Sequence, residues 1–137
     1  MKWTVTLLGQ PPSINHMYEL TRVDRTNRRG EIRLDDLGRP RKYKRLVKNA
    51  KVAKYQDDVV LQVKVAKPSH WQPEGFVRLT YRYFLVHDID CDNVKKAISD
   101  AIQIAIGVDD RMFLHCDESK VHGCPLSEAR VEIDIEG

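Results

Sequence analysis

The sequence predicts an α+β domain in the order β-α-β-α-β-β, with a mixed sheet whose one face packs on two helices. Two kinds of pattern support this prediction. Residues 2–8 and 130–136 alternate apolar and polar side chains, as half-buried strands do. Residues 93–106 repeat apolar side chains at spacings of three and four, as an amphipathic helix does. The length of 137 residues predicts a single domain that spans 1–137.

The first half of the chain is expected to contain one strand, one long basic loop and one helix. "GQPPS" at residues 9–13 ends the first strand, because proline lacks the amide hydrogen that a ladder needs. Residues of about 14–42 show little periodicity and predict a long basic loop, which has room for a hairpin around Arg29–Gly30. Helical spacing from about Lys44 to Ala66 predicts the first helix, which Pro68 would end.

The second half of the chain predicts the remaining strands and the second helix. "FVRLTYRYFLV" at 76–86 is rich in aromatic and β-branched residues, which favours a strand. Asp92 or Asn93 is suited to cap the start of the following helix, and Gly107 suits its end. Residues 113–122 are expected to form a further strand before the last one.

The charge of the chain is segregated. Residues 22–54 contain 13 Lys and Arg against 4 Asp and Glu, while the remainder contains 10 basic and 16 acidic residues. Such a distribution suits a polyanionic partner. A solvated basic face on a loop with no partner is the open alternative.

Two further features bear on location. The 3 cysteines are odd in number and form no CxxC pair, which fits a reducing cytoplasm better than a disulfide scaffold. No run of about 18 apolar residues is present, so no membrane span is predicted.

Acidic residues are concentrated after the predicted strand at 76–86. "DIDCDNVKK" begins with Asp88, Asp90 and Asp92 at alternate positions, which would place like charges on one face of an extended strand. Neighbouring carboxylates repel one another unless a positive charge lies among them. This pattern raises the question of which cation neutralises them.

A second set of acids lies on and after the helix. Asp92, Lys96 and Asp100 fall at spacings of four and predict a polar stripe, and Asp109 and Asp110 follow the helix. Carboxylates without His or Cys suit a hard cation such as Mg²⁺, which also binds phosphate oxygens. A water could then be activated against a phosphodiester, with Lys96 stabilising the transition state. The alternative is that these acids cap the helix and pair with its lysines.

A zinc site is a weaker hypothesis. "HCDESKVHGC" supplies four residues that can ligate zinc, but their spacing matches no standard zinc motif, and neighbouring strand residues point to opposite faces. They are His115, Cys116, His122 and Cys124. Core or surface positions are the expected alternative for all four, and a buried strand position is expected for Cys91.

The acidic motif resembles that of the RusA family of Holliday junction resolvases. That family carries D-x-D-N-x-x-K, an Asp four residues past the Lys, and a D-D pair about ten residues further on. "DIDCDNVKKAISDAI" followed by "VDD" is similar to this pattern, and "TLLGQPPSINHMY" resembles the opening strand and P-P-S-x-N of the family. The matching positions are Asp90, Asp92, Asn93, Lys96, Asp100, Asp109 and Asp110. The resemblance covers residues 4 to about 110, and the basic segment after P-P-S is longer than the family leads us to expect.

The resemblance implies a RusA-like fold and a Mg²⁺-dependent endonuclease, with Mn²⁺ as a substitute, that resolves four-way DNA junctions as a homodimer. It implies metal binding by Asp90, Asp92 and Asp110 and an essential cation at Lys96. Asp109 and Asp100 are further candidate ligands, because the spacing leaves the choice within the D-D pair open. No membrane and no small-molecule cofactor are expected.

The same resemblance places Asn15, Tyr18 and the basic segment near DNA. The cations assigned to this contact are Arg28, Arg29, Arg41, Lys42, Lys44, Arg45 and Lys48. Two rival functions remain open. One is a non-catalytic DNA-binding protein on the same fold, and the other is a nuclease that cuts flaps or replication forks.

Overall fold

The structure, a computed structural model, describes residues 1–12, 18–24, 29–31, 34, 37–39 and 42–137, and of 18–24 and 42–48 it describes the backbone. The chain is α+β. Its elements in sequence order are β1 (Lys2–Leu8), β2 (Tyr18–Asp24), β3 (Lys42–Lys48), α1 (Ala50–Ala66), β4 (Val77–Phe84), α2 (Cys91–Ile106), β5 (Phe113–Val121) and β6 (Arg130–Glu136). Within the described residues, no helix is long and apolar enough to cross a membrane.

The main sheet has four strands in the order β1-β6-β4-β5. The last strand, β6, inserts between β1 and β4 and is antiparallel to both, whereas β5 is parallel to β4. The sheet is therefore mixed, as predicted. Since β1, β4 and β5 run in one direction, their carboxyl ends lie at the same edge of the sheet.

The core lies between one face of this sheet and the two helices. Alternate residues of the strands are buried, for example Val5, Tyr81 and Ile133. They join the apolar faces of both helices, represented by Val59 of α1 and Ile98 of α2, in one hydrophobic cluster. The burial of alternate positions explains why the strand predictions at both ends of the chain are correct.

The first helix is shorter than predicted, because residues 42–48 form β3 rather than its first turns. β3 pairs antiparallel with β2, from Tyr18 opposite Lys48 to Asp24 opposite Lys42. The helical spacing between Lys44 and Lys48 is therefore misleading. The helix begins only after Asn49, whose side chain accepts a hydrogen bond from the Lys51 amide and caps α1. Residues 18–24, predicted to lie in the basic loop, are the other strand of this hairpin.

The second helix begins earlier than predicted. Asp90, rather than Asp92 or Asn93, caps it, since the Asp90 side chain accepts a hydrogen bond from the amide of Asp92. Gly107 ends the helix with a left-handed backbone at φ 71°, as expected. Cys91 is the first residue of α2 and half-buried, so its predicted place in a strand is wrong.

Candidate functional site

A groove of about 210 Å³ lies beside α2 at the start of β5. It is lined by Asp92, Lys95, Lys96, Ser99, Asp100, Asp110 and His115. The five helical residues share one face, because they are spaced by three or four positions. The groove thus contains four of the residues predicted from the acidic motif. They are Asp92, Lys96, Asp100 and Asp110.

The three alternating acids of "DIDCDN" have three different environments. Asp88 pairs with Lys120 of β5 at 2.6 Å, and this contact lowers the pKa of Asp88. Asp90 caps α2 through a 3.0 Å bond from the Asp92 amide. Only Asp92 of the three lines the groove. The predicted single strand face does not form, because the helix begins at Cys91.

The two acids of the D-D pair also differ in their surroundings. Asp109 caps the 3₁₀ turn Asp110–Met112 and accepts hydrogen bonds from the amide and guanidinium of Arg111 at 2.9 to 3.1 Å. These bonds lower the pKa of Asp109 to about 2. Asp110, by contrast, lines the groove. Of the pair, Asp110 is therefore the acid that shares the groove with Asp92.

Lys95 is held at the edge of the groove by two carboxylates. Its Nζ lies 2.9 Å from Asp117 and 3.3 Å from Asp92. Burial lowers the pKa of Lys95, but the hydrogen bond and charge of Asp117 outweigh it and raise that pKa overall. Lys96 is held far less tightly, since its side chain is 58% exposed and its Nζ lies 3.9 Å from Asp100. Lys96 is thus the cation that can move toward a ligand.

Two buried tyrosines of β4 support the floor of the groove. The hydroxyl of Tyr83 donates to Asp117 at 2.9 Å, and the hydroxyl of Tyr81 lies 2.9 Å from Nδ1 of His115. Burial raises the pKa of Tyr81, so its hydroxyl keeps its proton. Burial and Lys95 lower the pKa of His115. Which of the two groups donates in this contact depends on the tautomer of the imidazole.

A β-bulge in β5 sets the positions of these partners. Tyr81 pairs with Asp117, but Arg82 pairs with Ser119, so Glu118 is an extra residue. Strict alternation would put Asp117 and Lys120 on opposite faces, whereas the bulge places both on the helix side of the sheet. Asp117 can therefore bind Lys95 while Lys120 binds Asp88.

Sequence reasoning missed three residues of this site, Lys95, Ser99 and Asp117, and considered the fourth, His115, only as a zinc ligand. Lys95 and Ser99 lie three and seven positions after Asp92, so helical spacing could have identified them. His115 and Asp117 come from β5, and nothing local to their sequence indicates that they reach α2. Their role depends on β5 packing parallel to β4 beside the helix.

The groove offers two exposed carboxylates, which are the kind of donor that a hard cation binds. The side chain of Asp92 is 84% exposed, and Asp110 is exposed in the same groove, so carboxylate oxygens of both are available. Asp92 and Asp100 are eight residues apart, or about 12 Å along the helix axis, too far to share one ion. Among the described residues, no three His, Cys, Asp or Glu side chains are clustered closely enough to hold a metal. The predicted ligand set of Asp90, Asp92 and Asp110 therefore stays a prediction.

The four zinc candidates have separate environments. His115 bonds to Tyr81 on the helix side, and the adjacent Cys116 is exposed. His122 is exposed just after β5, and Cys124 is half-buried two residues later.

The predicted DNA-contacting residues are only partly described. Asn15, Arg28 and Arg41 lie outside the described residues, and Arg29 is exposed in a turn. The backbones of the other five lie in the β2–β3 hairpin. They are Tyr18, Lys42, Lys44, Arg45 and Lys48.

Comparison with known proteins does not place the chain in a family. No protein-family model matches the sequence, and no curated protein matches it either.

Proposed function

We propose that the protein is a Mg²⁺-dependent endodeoxyribonuclease with a RusA-like fold that resolves four-way DNA junctions as a homodimer in the cytoplasm. The observation that carries this proposal is the groove beside α2. It brings together Asp92, Lys96, Asp100 and Asp110, although the first and last of these are 18 positions apart in the sequence. If these acids served only to solvate the exposed face of α2, there would be no reason for Asp110, which lies beyond the helix, to line the same groove.

In this proposal Asp92 and Asp110, with Asp90, hold Mg²⁺, for which Mn²⁺ is a substitute. When bound, the ion polarises a phosphodiester and lowers the pKa of a bound water. Without metal, Nζ of Lys95 lies 3.3 Å from Asp92 and neutralises its charge. If Asp92 turned to a metal instead, Lys95 would still be paired with Asp117. Asp100 is placed to hold Lys96 in the groove until substrate arrives.

Two protein donors would act on the phosphate. Lys96 is exposed and loosely held, so its ammonium can approach the phosphoryl oxygens and stabilise the charge that develops there. His115, fixed by Tyr81, would be a neutral donor in the tautomer that carries its hydrogen on Nε2. Both donors line the same groove as the acids, and this arrangement supports phosphodiester hydrolysis.

The basic segment would supply affinity for DNA. Residues 22–54 carry 13 of the 23 Lys and Arg residues of the chain. Lysine and arginine contacts to phosphates are independent of sequence and weaken with salt. The acids of the groove repel DNA, so Mg²⁺ or Ca²⁺ should strengthen binding by the wild-type protein.

A non-catalytic DNA-binding protein is the second candidate. Asp88, Asp90 and Asp92 all have partners in the protein itself, namely Lys120, the helix amide and Lys95. These contacts stabilise the acids without a metal. A nuclease acting on flaps or forks would use the same groove and differ only in the DNA that it accepts.

The experiment is cleavage of a labelled four-way junction beside a linear duplex of the same sequence, in Mg²⁺ and in EDTA. We expect paired symmetric nicks in the junction alone, only with Mg²⁺, and none from Asp92→Asn. Cleavage of flaps or linear duplex would support a nuclease but contradict the proposed specificity for four-way junctions. Tight binding without cutting in Mg²⁺ or Mn²⁺ would support the non-catalytic candidate.

A further inference from the structure

A second cleft, of about 380 Å³, lies where β1 ends and α1 begins. Its walls come from the turn after β1 and from the first turns of the helix. The residues that line it are Leu8, Gly9, Gln10, Pro12, Lys51, Lys54, Tyr55 and Asp58. None of these residues lines the groove beside α2. The cleft is therefore a separate feature of the surface.

Two buried polar groups in the cleft have no hydrogen-bond partner among the described residues. Tyr55 is only 9% exposed, and its hydroxyl is unpaired. Nε2 of Gln10 is also buried and unpaired, whereas Oε1 of the same amide accepts a 2.8 Å bond from the amide of Val86. That bond orients the amide and leaves its N–H groups as the unused donors. Buried polar groups are normally paired, so two unpaired donors at one cleft indicate a missing acceptor.

The other polar residues of the cleft define the chemistry of that acceptor. Lys51 and Lys54 are exposed on the first turns of α1 and add two positive charges. Burial raises the pKa of Tyr55, so its hydroxyl remains a neutral donor. Asp58 is exposed four residues after Lys54, a spacing at which a carboxylate can pair with that lysine. A small anion with several acceptor oxygens matches this set of donors, and a phosphate group has that chemistry.

The cleft lies at the edge of the sheet where β1 and β4 end, and α2, which forms one wall of the groove, begins at the same edge. Gln10 contacts Val86, which follows β4, and Asp90 caps α2 four residues later. A nucleic-acid strand that crosses this edge can therefore meet both features.

We propose that this cleft is a phosphate-binding site that holds a backbone phosphate of the DNA away from the bond that is cut. Lys51, Lys54, the Tyr55 hydroxyl and the Gln10 amide are its donors. The identity of the ligand as DNA rests on the proposed function, but the phosphate chemistry does not. A free phosphate compound is the other source of the same group.

The test measures equilibrium binding of a labelled four-way junction in EDTA, over a series of NaCl concentrations. The variants are Lys51→Gln, Lys54→Gln and Tyr55→Phe. Lys64→Gln, an exposed lysine in the last turn of the same helix, is the matched control. Each site lysine should contribute about 10-fold to affinity and reduce the slope of log K against log salt by about 0.9. Lys64→Gln should change the affinity and the salt slope less than either site variant does.

Tyr55→Phe separates a binding role from a structural one. The hydroxyl has no hydrogen-bond partner among the described residues, so its removal should leave the melting temperature unchanged or higher while affinity falls several-fold. A second arm measures the melting temperature with inorganic phosphate at constant ionic strength. Phosphate should stabilise the wild type more than Tyr55→Phe.

The outcomes distinguish the two proposals. Lost junction affinity in the three variants but not in Lys64→Gln supports the site, even if the wild type cuts no junction and the nuclease proposal fails. If junction affinity is unchanged in the variants but phosphate stabilises the wild type more than Tyr55→Phe, the site binds a free phosphate compound and DNA is wrong as the source of the phosphate group. If the variants match the control in both arms, the site itself is wrong, whatever the wild type cuts.

Discussion

The outer face of the sheet and the groove beside α2 both contain acids and cations, but they differ in how these are paired. On the outer face, Asp134 accepts two 2.9 Å bonds from Arg82 and a 2.7 Å bond from Thr4, and Lys2 lies 3.1 Å away. In the groove, Asp92 is 84% exposed and its contact with Lys95 is 3.3 Å long. Asp134 is saturated with partners inside the fold, whereas most of the Asp92 side chain remains exposed to solvent.

The pKa of Asp134 follows from that difference. Hydrogen bonds from Arg82, then Thr4 and Lys2, hold the pKa of this carboxyl well below its usual range, although burial opposes them. Substitutions in the two regions should therefore have opposite consequences, with activity lost in one and stability in the other.

The largest effect is expected from Asp110→Asn. If Asp110 contributes to Mg²⁺ binding, junction cleavage should fall about 1000-fold, because the charge that holds the ion is removed. Asp109→Asn is the matched control, since Asp109 bonds to Arg111 instead of lining the groove. Single-turnover cleavage in Mg²⁺ measures both. Equal losses in the two variants would contradict the separate assignment of the pair.

Lys96→Gln should reduce the single-turnover rate about 100-fold, the usual effect of losing one donor to a developing negative charge. Junction affinity should change far less, because Lys96 would act on the transition state. Lys64→Gln, on the exposed face of α1, should cut at the wild-type rate. A loss in Lys96→Gln that appears only in affinity would show that this lysine binds DNA without taking part in the reaction.

Asp134→Asn should lower the free energy of unfolding by about 2 kcal/mol, since it removes a charged partner from Arg82 and leaves that guanidinium partly unpaired. Urea denaturation measures this effect. Cleavage at 25 °C should stay near the wild-type rate, and Asp92→Asn should show the reverse, with a nearly unchanged midpoint. Loss of cleavage by folded Asp134→Asn would remove the distinction between the two regions.

The smallest effect is a pH dependence of the same contact. Because the pKa of Asp134 is lower in the folded protein than the value of about 3.9 in unfolded chains, its stabilising contribution is complete above about pH 5. It decreases as the pH falls from there through the folded-state pKa, where the unfolded chain binds more protons. The stability difference between wild type and Asp134→Asn should therefore shrink between pH 5 and pH 3 in urea denaturation series. A constant difference would mean that Asp134 is not the titrating group.

Local patterns predicted the strands and the second helix well. Residues 130–136 alternate cleanly and form β6, and the apolar spacing after Asn93 marks α2 to its end at Ile106. The patterns failed at residues 44–48, where a basic sequence satisfies helical spacing but pairs with β2 instead. Pairing between distant segments overrides local propensity, and no local pattern reports it.

The sequence by itself determined the candidate chemistry: which acids and cations surround α2, and which helix face they share, because helical spacing follows from the order of residues. Only the tertiary structure decided how these groups are paired. It assigned Asp90 to the helix cap, Asp109 to Arg111 and Asp110 to the groove, and it brought His115 and Asp117 from β5 to α2. The contact between Lys95 and Asp117 joins residues 22 positions apart, and it exists because β5 packs parallel to β4 beside the helix.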